Sequence, residues 1–170
     1  MAKLPIIIAP DPVLKLTCDP VETVDADLGR LLDDMLDTMY EAPGIGLAAP
    51  QVGVTKRLLV ADVSREERNP ICLINPELVW SSDESSLYDE GCLSFPDHYA
   101  QVERPAKIKV RFVDREGKQN EIDADGLLAT CIQHEMDHLD GVLFVDYLSG
   151  LKRGMIIRKL KKLKKQQNIL

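Results

Sequence analysis

The sequence contains no apolar run that approaches the roughly 20 residues needed to cross a bilayer. It also lacks a recognisable secretory signal, because prolines interrupt the apolar stretch of the first ten residues and no cleavage motif of small residues follows. The four cysteines include no CxxC pair, which favours free thiols or metal ligands over disulfides. We therefore expect a cytoplasmic protein that does not act on a membrane.

Acidic residues are missing from residues 151–170, which carry eight Lys and Arg side chains. The whole chain has 28 acidic and 21 basic residues and a formal net charge of −7, so residues 1–150 have 13 basic residues against all 28 acidic ones, a balance of −15. An acidic body thus ends in a segment of charge +8. Such a segment is suited to polyanions such as RNA.

What is present is the composition of an ordinary globular protein, with 45% apolar and 29% charged residues in a chain of 170. This length favours one domain over residues 1–170. Apolar periodicity predicts helices over 25–40 and 125–139, and a basic amphipathic C-terminal helix over 149–166. Strands are expected at 57–63, 71–75, 77–80, 106–113 and 119–123. We expect irregular structure over 1–24 and 43–53, and a polar loop over 81–86. The predicted class is α+β with antiparallel strands.

The most informative motif lies in the second predicted helix, where His134 and His138 are separated by one helical turn. Residues four apart share one face of a helix, so both imidazoles can reach one cation. Only three histidines occur in the chain, and two of them form this pair. Glu135 lies between them and is placed to act on a water molecule at the cation. The pattern indicates a catalytic metal site.

A catalytic site of this type needs a third protein ligand. No Glu follows Glu135, and Phe144 stands where the last histidine of a metzincin would be, so neither familiar metalloprotease arrangement is complete. Candidates for the third ligand are Asp140, Asp146, Cys92 and His98. Cys92 is favoured on chemical grounds, because a thiolate is a strong ligand and Gly91 beside it permits a close backbone approach.

Three segments together, GIGLAAPQ at 44–51, EGCLS at 90–94 and QHEMDH at 133–138, resemble the three signature motifs of peptide deformylases in order and separation. The resemblance extends over essentially the whole chain. It implies a single α+β domain in which antiparallel strands surround a central metal-binding helix. It also implies removal of the formyl group from the N-terminal formyl-methionine of newly synthesised polypeptides, with release of formate.

The same resemblance implies roles for individual residues. The divalent ion, Fe(II) in the cell with Zn(II) or Ni(II) as possible replacements, would be held by Cys92, His134 and His138. Catalysis would use the Glu135 carboxylate, the Gln51 amide and the backbone N–H of Leu93. Substrate would contact Gly44, Ile45, Gly46, Leu127 and Cys131. Phe95 and the pair His98 and Tyr99 depart from the usual pattern at the rim of the pocket.

The basic C-terminal helix carries Ile156, Leu160 and Leu163 at helical spacing, which predicts that one face packs on the body. Its other face would present the lysines outward. Members of the family are thought to contact the ribosome through this helix, so ribosome contact by a monomer is the expectation. Two alternatives remain open, an HExxH metalloprotease and a non-catalytic RNA-binding protein with a structural metal.

Overall fold

The computed structural model describes residues 3–169. Its first long helix, α1 (Ala26–Glu41), begins where the Asp25 side chain accepts a hydrogen bond from the backbone N–H of Leu28. This N-cap satisfies a backbone donor that the first helical turn leaves unpaired. The helix predicted over 25–40 is thereby confirmed. Before it, residues 3–24 contain one short 3₁₀ helix, Pro12–Lys15.

The larger of two sheets has five strands: β1 (Gly46–Ala48), β2 (Leu58–Ala61), β3 (Ile71–Ser81), β6 (Lys107–Val113) and β7 (Gln119–Asp125). They are ordered β1-β2-β3-β6-β7 and every pair is antiparallel. Helix α1 covers part of this sheet with Leu32, Met35 and Met39, which are fully buried. The sheet gives the molecule its main apolar core.

The second sheet was not predicted. It is the hairpin of β4 (Ser85–Cys92) and β5 (Phe95–Pro105), so the predicted polar loop over 81–86 is wrong at both of its ends. Exposed and less exposed residues alternate along β4. Its inward residues are not consistently apolar, however, so the sequence shows no alternation of hydrophobicity. Glu90 and Arg104, both almost fully buried, occupy inward positions. Because charged residues occupy these inward positions, the hairpin lacks the alternating hydrophobicity by which a strand is predicted from sequence.

Two further expectations are corrected in the larger sheet. The segment predicted to be irregular over 43–53 contains β1 and the 3₁₀ helix Ala49–Val52. The strands predicted at 71–75 and 77–80 are one strand, β3, with an irregularity between Ile74 and Glu77. Asn75 has a left-handed backbone (φ 50°), and its side chain bonds both the N–H and the C=O of Val21. These two bonds link the irregularity in β3 to the segment before α1, and β3 continues past Pro76 beyond it.

Helix α2 (Gly126–Leu139) follows β7 directly and contacts strands of both sheets. Ala129, Ile132 and Leu139 of α2 are fully buried in the core shared with β2, β3 and β6. The central helix and its surrounding antiparallel strands confirm the predicted α+β class. The side chains of α2 that face the smaller sheet include the two histidines of the motif.

The C-terminal helix α3 (Gly150–Ile169) packs through Leu160, which is 1% exposed, and through Ile156 and Ile157. Leu163 was expected on this inward face but is 37% exposed. Leu163 shares the helical face of Ile156 and Leu160, but it is not among the residues that pack on their apolar cluster, so the packed part of this face ends before Leu163. Among the described residues, no helix is long and apolar enough to span a membrane.

Candidate metal centre and catalytic site

Three side chains from two elements meet between the sheets. His134 and His138 project from one face of α2, and Cys92 is the last residue of β4. Their ligand atoms lie within 4.8 Å of one another, and the Cys92 Sγ is 3.4 Å from the His138 Nε2. A tetrahedral ion bonded to sulfur and nitrogen would hold two such donors about 3.5 Å apart. The Cys and His donor set and its spacing therefore fit a divalent transition metal.

The other candidate ligands are engaged elsewhere. Asp140 forms an ion pair with Arg57 at 2.9 Å, and Asp146 accepts a hydrogen bond from Lys15 at 2.8 Å. Within the described part of the chain, His98 belongs to no group of three potential ligands. Of the four residues that the sequence left open as third ligand, Cys92 is the one brought to the histidine pair.

A buried ion pair supports one of the histidines. The Nδ1 of His134 lies 2.9 Å from Glu90 Oε1, and Arg104 donates to both oxygens of Glu90 at 2.6 and 2.9 Å. Because the Nδ1 is used in this way, the Nε2 of His134 is left for a metal. Sequence reasoning missed Arg104, since its pairing with Glu90 depends on a hairpin that was not predicted.

The electrostatics of these groups follow from burial and pairing. Burial alone would raise the pKa of Glu90, but hydrogen bonds from Arg104 and His134 outweigh it and lower the pKa. Burial, with the nearby His134 and Arg104, lowers the pKa of His138 well below its usual value. Neutral imidazole is the form that binds metals, so His138 is preset as a ligand.

Glu135 is in a different situation from Glu90. It is 5% exposed, and its Oε1 is buried without a hydrogen-bond partner among the described residues. Burial raises the pKa of Glu135 to about 7, with the negative charge of Glu90 adding to the effect and His134 opposing it. A buried carboxyl group with an unpartnered oxygen and a pKa near neutrality is suited to exchange a proton with a bound water or substrate.

Gln51 approaches the ligand cluster from the 3₁₀ helix Ala49–Val52. Its Oε1 accepts from the backbone N–H of Ala48 at 3.0 Å, and its Nε2 donates to Ser94 Oγ at 3.1 Å and lies 3.5 Å from Cys92 Sγ. The contact with Ala48 N–H identifies the amide oxygen of Gln51, because only the oxygen can accept a hydrogen bond. The N–H₂ donor therefore points at the cluster.

Glycines 44 and 46 bring their segment close to this site. A Cβ on Gly46 would lie 2.5 Å from Glu135 Oε2 and 2.7 Å from Cys131 Sγ, and a Cβ on Gly44 would lie 2.8 Å from Leu93 Cδ1. Both approaches are too close for any other residue without movement of the neighbour. The predicted substrate glycines thus touch the predicted catalytic residues.

A cavity of about 90 Å³ opens beside Glu135. Ile45 and Leu127 are 42% and 41% exposed and lie at its mouth, whereas Cys131 is buried in its wall. These are three of the five residues predicted to contact substrate. The remaining wall is formed by Tyr88, Asp89, Glu90, Gly91, Thr130 and His134.

Comparisons with known proteins agree with this arrangement. The family model described as "Polypeptide deformylase" matches residues 3–154. A peptide deformylase from Rhizobium meliloti (strain 1021) is 64% identical over 160 residues, which are 93% of this chain and 92% of that protein. A crystal structure of a peptide deformylase from Legionella pneumophila superposes with a TM-score of 0.92 at 49% identity and covers 98% of both chains. One from Ehrlichia chaffeensis in complex with actinonin has a TM-score of 0.92 at 45% identity, covering 95% of this chain and 98% of that one. The chain belongs to the peptide deformylase family.

Proposed function

We propose that Cys92, His134 and His138 hold one divalent ion and that Glu135, Gln51 and Leu93 carry out deformylation beside it. As a peptide deformylase, the chain is a metallohydrolase that removes the formyl group from the N-terminal formyl-methionine of new polypeptides. The observation that carries the assignment of residues is the convergence of one thiol and two imidazoles within 4.8 Å, next to a buried carboxyl group.

Fe(II) is the ion we propose for the cell, with Zn(II) or Ni(II) able to occupy the same donors, because thiolate and imidazole accept all three. When bound, the ion supplies Lewis acidity, which acidifies water and polarises the formyl oxygen. Three protein ligands leave coordination positions for water and substrate, as catalytic sites require.

Glu135 acts first as the general base and then as the general acid of the reaction. Its unpartnered Oε1 takes a proton from the attacking water, whose oxygen forms a bond to the formyl carbon. When the carbon–nitrogen bond then breaks, Glu135 delivers that proton to the leaving amine and formate is released. The pKa of Glu135 near 7 suits both steps, since the group must accept and donate at neutral pH.

Gln51 and Leu93 stabilise the negative charge that develops on the formyl oxygen. The Gln51 amide is held with its donor toward the cluster by the bond from Ala48 N–H. Leu93 follows Cys92 in the chain, so its backbone N–H lies next to the thiol ligand. Donors fixed in advance in a water-poor site are worth far more than the same donors in water.

An extended formyl-methionyl peptide has a place beside β1. This strand is at the edge of the larger sheet; it begins at Gly46, and Gly44 and Ile45 lead into it. An edge strand offers unpaired backbone groups to an added peptide. The methionine side chain would then enter the cavity at Leu127 and Cys131, where apolar contacts predominate. The departures at His98 and Tyr99 would act on residues beyond methionine. Phe95 was expected at the same rim, but it is 1% exposed and packs edge-on against Phe144, so it has no surface to offer a peptide.

The decisive experiment measures formate release from a formyl-methionyl tripeptide by protein loaded separately with Fe(II), Ni(II) or Zn(II). Glu135→Gln, which cannot take up the proton, should lose at least about 10²-fold in kcat and retain its metal. Glu67→Gln, which alters an exposed glutamate, is the matched control and should match the parent. Absence of formate with all three metals would refute the assignment of function. Cleavage of internal peptide bonds would instead favour a protease.

The C-terminal helix is proposed to bring the enzyme to its substrate. Arg153 and Lys164 form the two ion pairs of α3 within the described residues, with Asp146 at 3.9 Å and Asp11 at 4.0 Å. The other six cations form none with any side chain that the structure describes: Lys152, Arg158, Lys159, Lys161, Lys162 and Lys165. All six are exposed. A surface with six free cations supports contact with ribosomal RNA, where nascent chains emerge.

We further propose that residues 1–170 act as one domain, as a monomer, in the cytoplasm. Helices α1 and α2 pack on the larger sheet, and Leu160 of α3 shares an apolar cluster with Phe95 and Val102 of the smaller one, so each helix packs on a sheet of the same chain. Formyl-methionyl chains are made by cytoplasmic ribosomes, which fits this location.

A further inference from the structure

A continuous chain of hydrogen bonds joins the proposed metal ligands to the segment that precedes α3. It begins with His134 and the Glu90–Arg104 pair described above. From there the Arg104 Nη1 donates to Asp137 Oδ2 at 2.8 Å. The Tyr147 hydroxyl donates to the same Asp137 oxygen at 2.7 Å. Three side chains, each in direct contact with the next, therefore connect the Tyr147 hydroxyl to the proposed metal ligand His134: Asp137, Arg104 and Glu90.

Burial decreases steadily along this line. The side chains of Glu90 and Arg104 are each 4% exposed, that of Asp137 is 24% exposed, and Tyr147 is 51% exposed. The Tyr147 ring also covers the guanidinium of Arg104, with Cζ 4.9 Å from the ring centre. Tyr147 is thus the outermost group and lies between a buried ion pair and water.

Tyr147 contributes two contacts that fix the geometry of Arg104. Its hydroxyl anchors the Asp137 oxygen that receives Nη1, and its ring lies over the plane of the cation. Arg104 must keep Nε and Nη2 on Glu90 while Nη1 stays on Asp137, which a planar guanidinium can do in one orientation only. Movement of Asp137 would therefore be transmitted to Glu90 and to the ring of His134.

We propose that Tyr147 is a positioning residue of the metal centre, which acts through Asp137, Arg104 and Glu90 to orient the imidazole of His134. Tyr147 does not line the cavity beside Glu135, so its effect is on the ligand and not on the peptide. The inference rests on the proposed ligand set. It adds that the loop before α3 contributes to metal retention.

The test uses the full chain loaded with Co(II), whose visible absorption reports the geometry of its thiolate and imidazole ligands. Tyr147→Phe removes the hydroxyl and keeps the ring. We expect it to lose Co(II) to a chelator about tenfold faster than the parent, with an altered Co(II) spectrum. Its kcat for formate release should fall by a similar factor, and its KM should stay unchanged.

A cycle with Asp137→Asn tests whether Tyr147 acts through Asp137. If it does, the double variant Tyr147→Phe with Asp137→Asn should lose Co(II) no faster than Asp137→Asn alone. Tyr40→Phe is the matched control, because it also deletes a tyrosine hydroxyl bonded to a carboxylate, that of Asp62, away from the metal ligands. It should leave the spectrum and the rate of Co(II) loss as in the parent.

Three results would overturn the inference or its basis. A parent-like spectrum and rate of Co(II) loss in Tyr147→Phe would overturn it, even if that variant unfolds at a lower temperature. Fully additive effects in the cycle would show that Tyr147 does not act through Asp137. Failure of the parent to retain Co(II) would refute the proposed ligand set, and the inference with it. Retention of Co(II) by a parent that releases no formate would refute the proposed activity alone.

Discussion

Two glutamates lie beside the proposed metal ligands, and their surroundings shift their pKa values in opposite directions. Arg104 binds both oxygens of Glu90, which keeps Glu90 ionised. Glu135 instead has a buried oxygen that no described residue pairs with, and a pKa of about 7. Groups whose pKa values are separated in this way take different roles. Glu90 is therefore suited to hold the imidazole of His134, and Glu135 is the one suited to move protons.

Gln51 can be tested by replacing its N–H₂ donor with an oxygen. Gln51→Glu keeps the oxygen that accepts from Ala48 N–H but replaces the amide N–H₂. Since one fixed donor to a developing oxyanion is worth about 10²- to 10³-fold, kcat for formate release should fall by that factor. Steady-state kinetics with metal analysis of the same samples make the measurement. The same substitution at exposed Gln119 should change nothing, and a Gln51→Glu enzyme of parental kcat would exclude Gln51 from the reaction.

Two glycine-to-alanine substitutions should have effects of opposite sign. At Gly46 the new methyl group would meet Glu135 Oε2 at 2.5 Å and Cys131 Sγ at 2.7 Å, so the proton-transfer group must move. We expect Gly46→Ala to reduce kcat by about 10²-fold, as small misplacements at a reacting centre do. It should also lower the free energy of unfolding by about 1–3 kcal/mol through overpacking.

Gly29 provides the control for that substitution. It lies within α1, and a Cβ there meets nothing within 4 Å. Gly29→Ala should raise the free energy of unfolding by about 0.5–1 kcal/mol, because alanine loses less backbone entropy in a helix. Urea unfolding and formate release measured on both variants make the comparison. Equal effects of the two substitutions would contradict the crowding at Gly46.

At the scale of elements, one hydrogen bond ties α1 to the end of β2. The Tyr40 hydroxyl donates to Asp62, and burial together with this bond raises the pKa of Tyr40 to about 12. The folded state then keeps the proton between about pH 10 and 12, where the unfolded chain releases it. The stabilisation is therefore complete below pH 10 and is lost as the pH rises through 12.

Tyr40→Phe should accordingly lower the free energy of unfolding by about 1.5 kcal/mol at pH 7, the lower end for a bond to a charged group because Tyr40 is partly exposed. The difference between parent and variant should shrink above pH 10. Urea unfolding of both proteins at pH 7, 9, 10.5 and 11.5 measures it. A difference that stays constant across this range would show that the hydroxyl does not titrate as described.

The elements that could be predicted from the sequence are those defined by residues close together in the chain. Helix α1 has an apolar stripe and an N-cap at Asp25, and His134 and His138 are neighbours through helical spacing alone. The β4–β5 hairpin was missed because its inward residues include Glu90 and Arg104, which satisfy each other only once the strands pair. Their support of His134 is therefore a tertiary property. Cys92 was favoured by its chemistry, but its approach to His138 depends on the same hairpin.

For the whole molecule, charge is separated between a body and a tail. Residues 1–150 carry −15 and residues 151–170 carry +8. The body therefore repels RNA, while the outward face of α3 attracts it, so an RNA surface would meet the protein in one preferred orientation. Arg153 and Lys164 differ from these outward cations, because they form partly exposed ion pairs with Asp146 and Asp11 of the body at 3.9 and 4.0 Å. The two kinds of cation in α3 can thus be separated by substitution.

Binding to purified ribosomes should depend steeply on salt. If each of the six unpaired cations of α3 contacts a phosphate, the slope of log K against log [salt] should be about −4 to −5, with a loss of about 10³-fold between 50 and 200 mM salt. Replacing all six by Gln should bring the slope near zero and leave deformylation of a free tripeptide unchanged.

Replacing Arg153 and Lys164 by Gln is the matched control and should keep the steep slope while lowering thermal stability. A parent whose binding ignores salt, or a six-Gln variant that binds like the parent, would exclude α3 as the RNA contact.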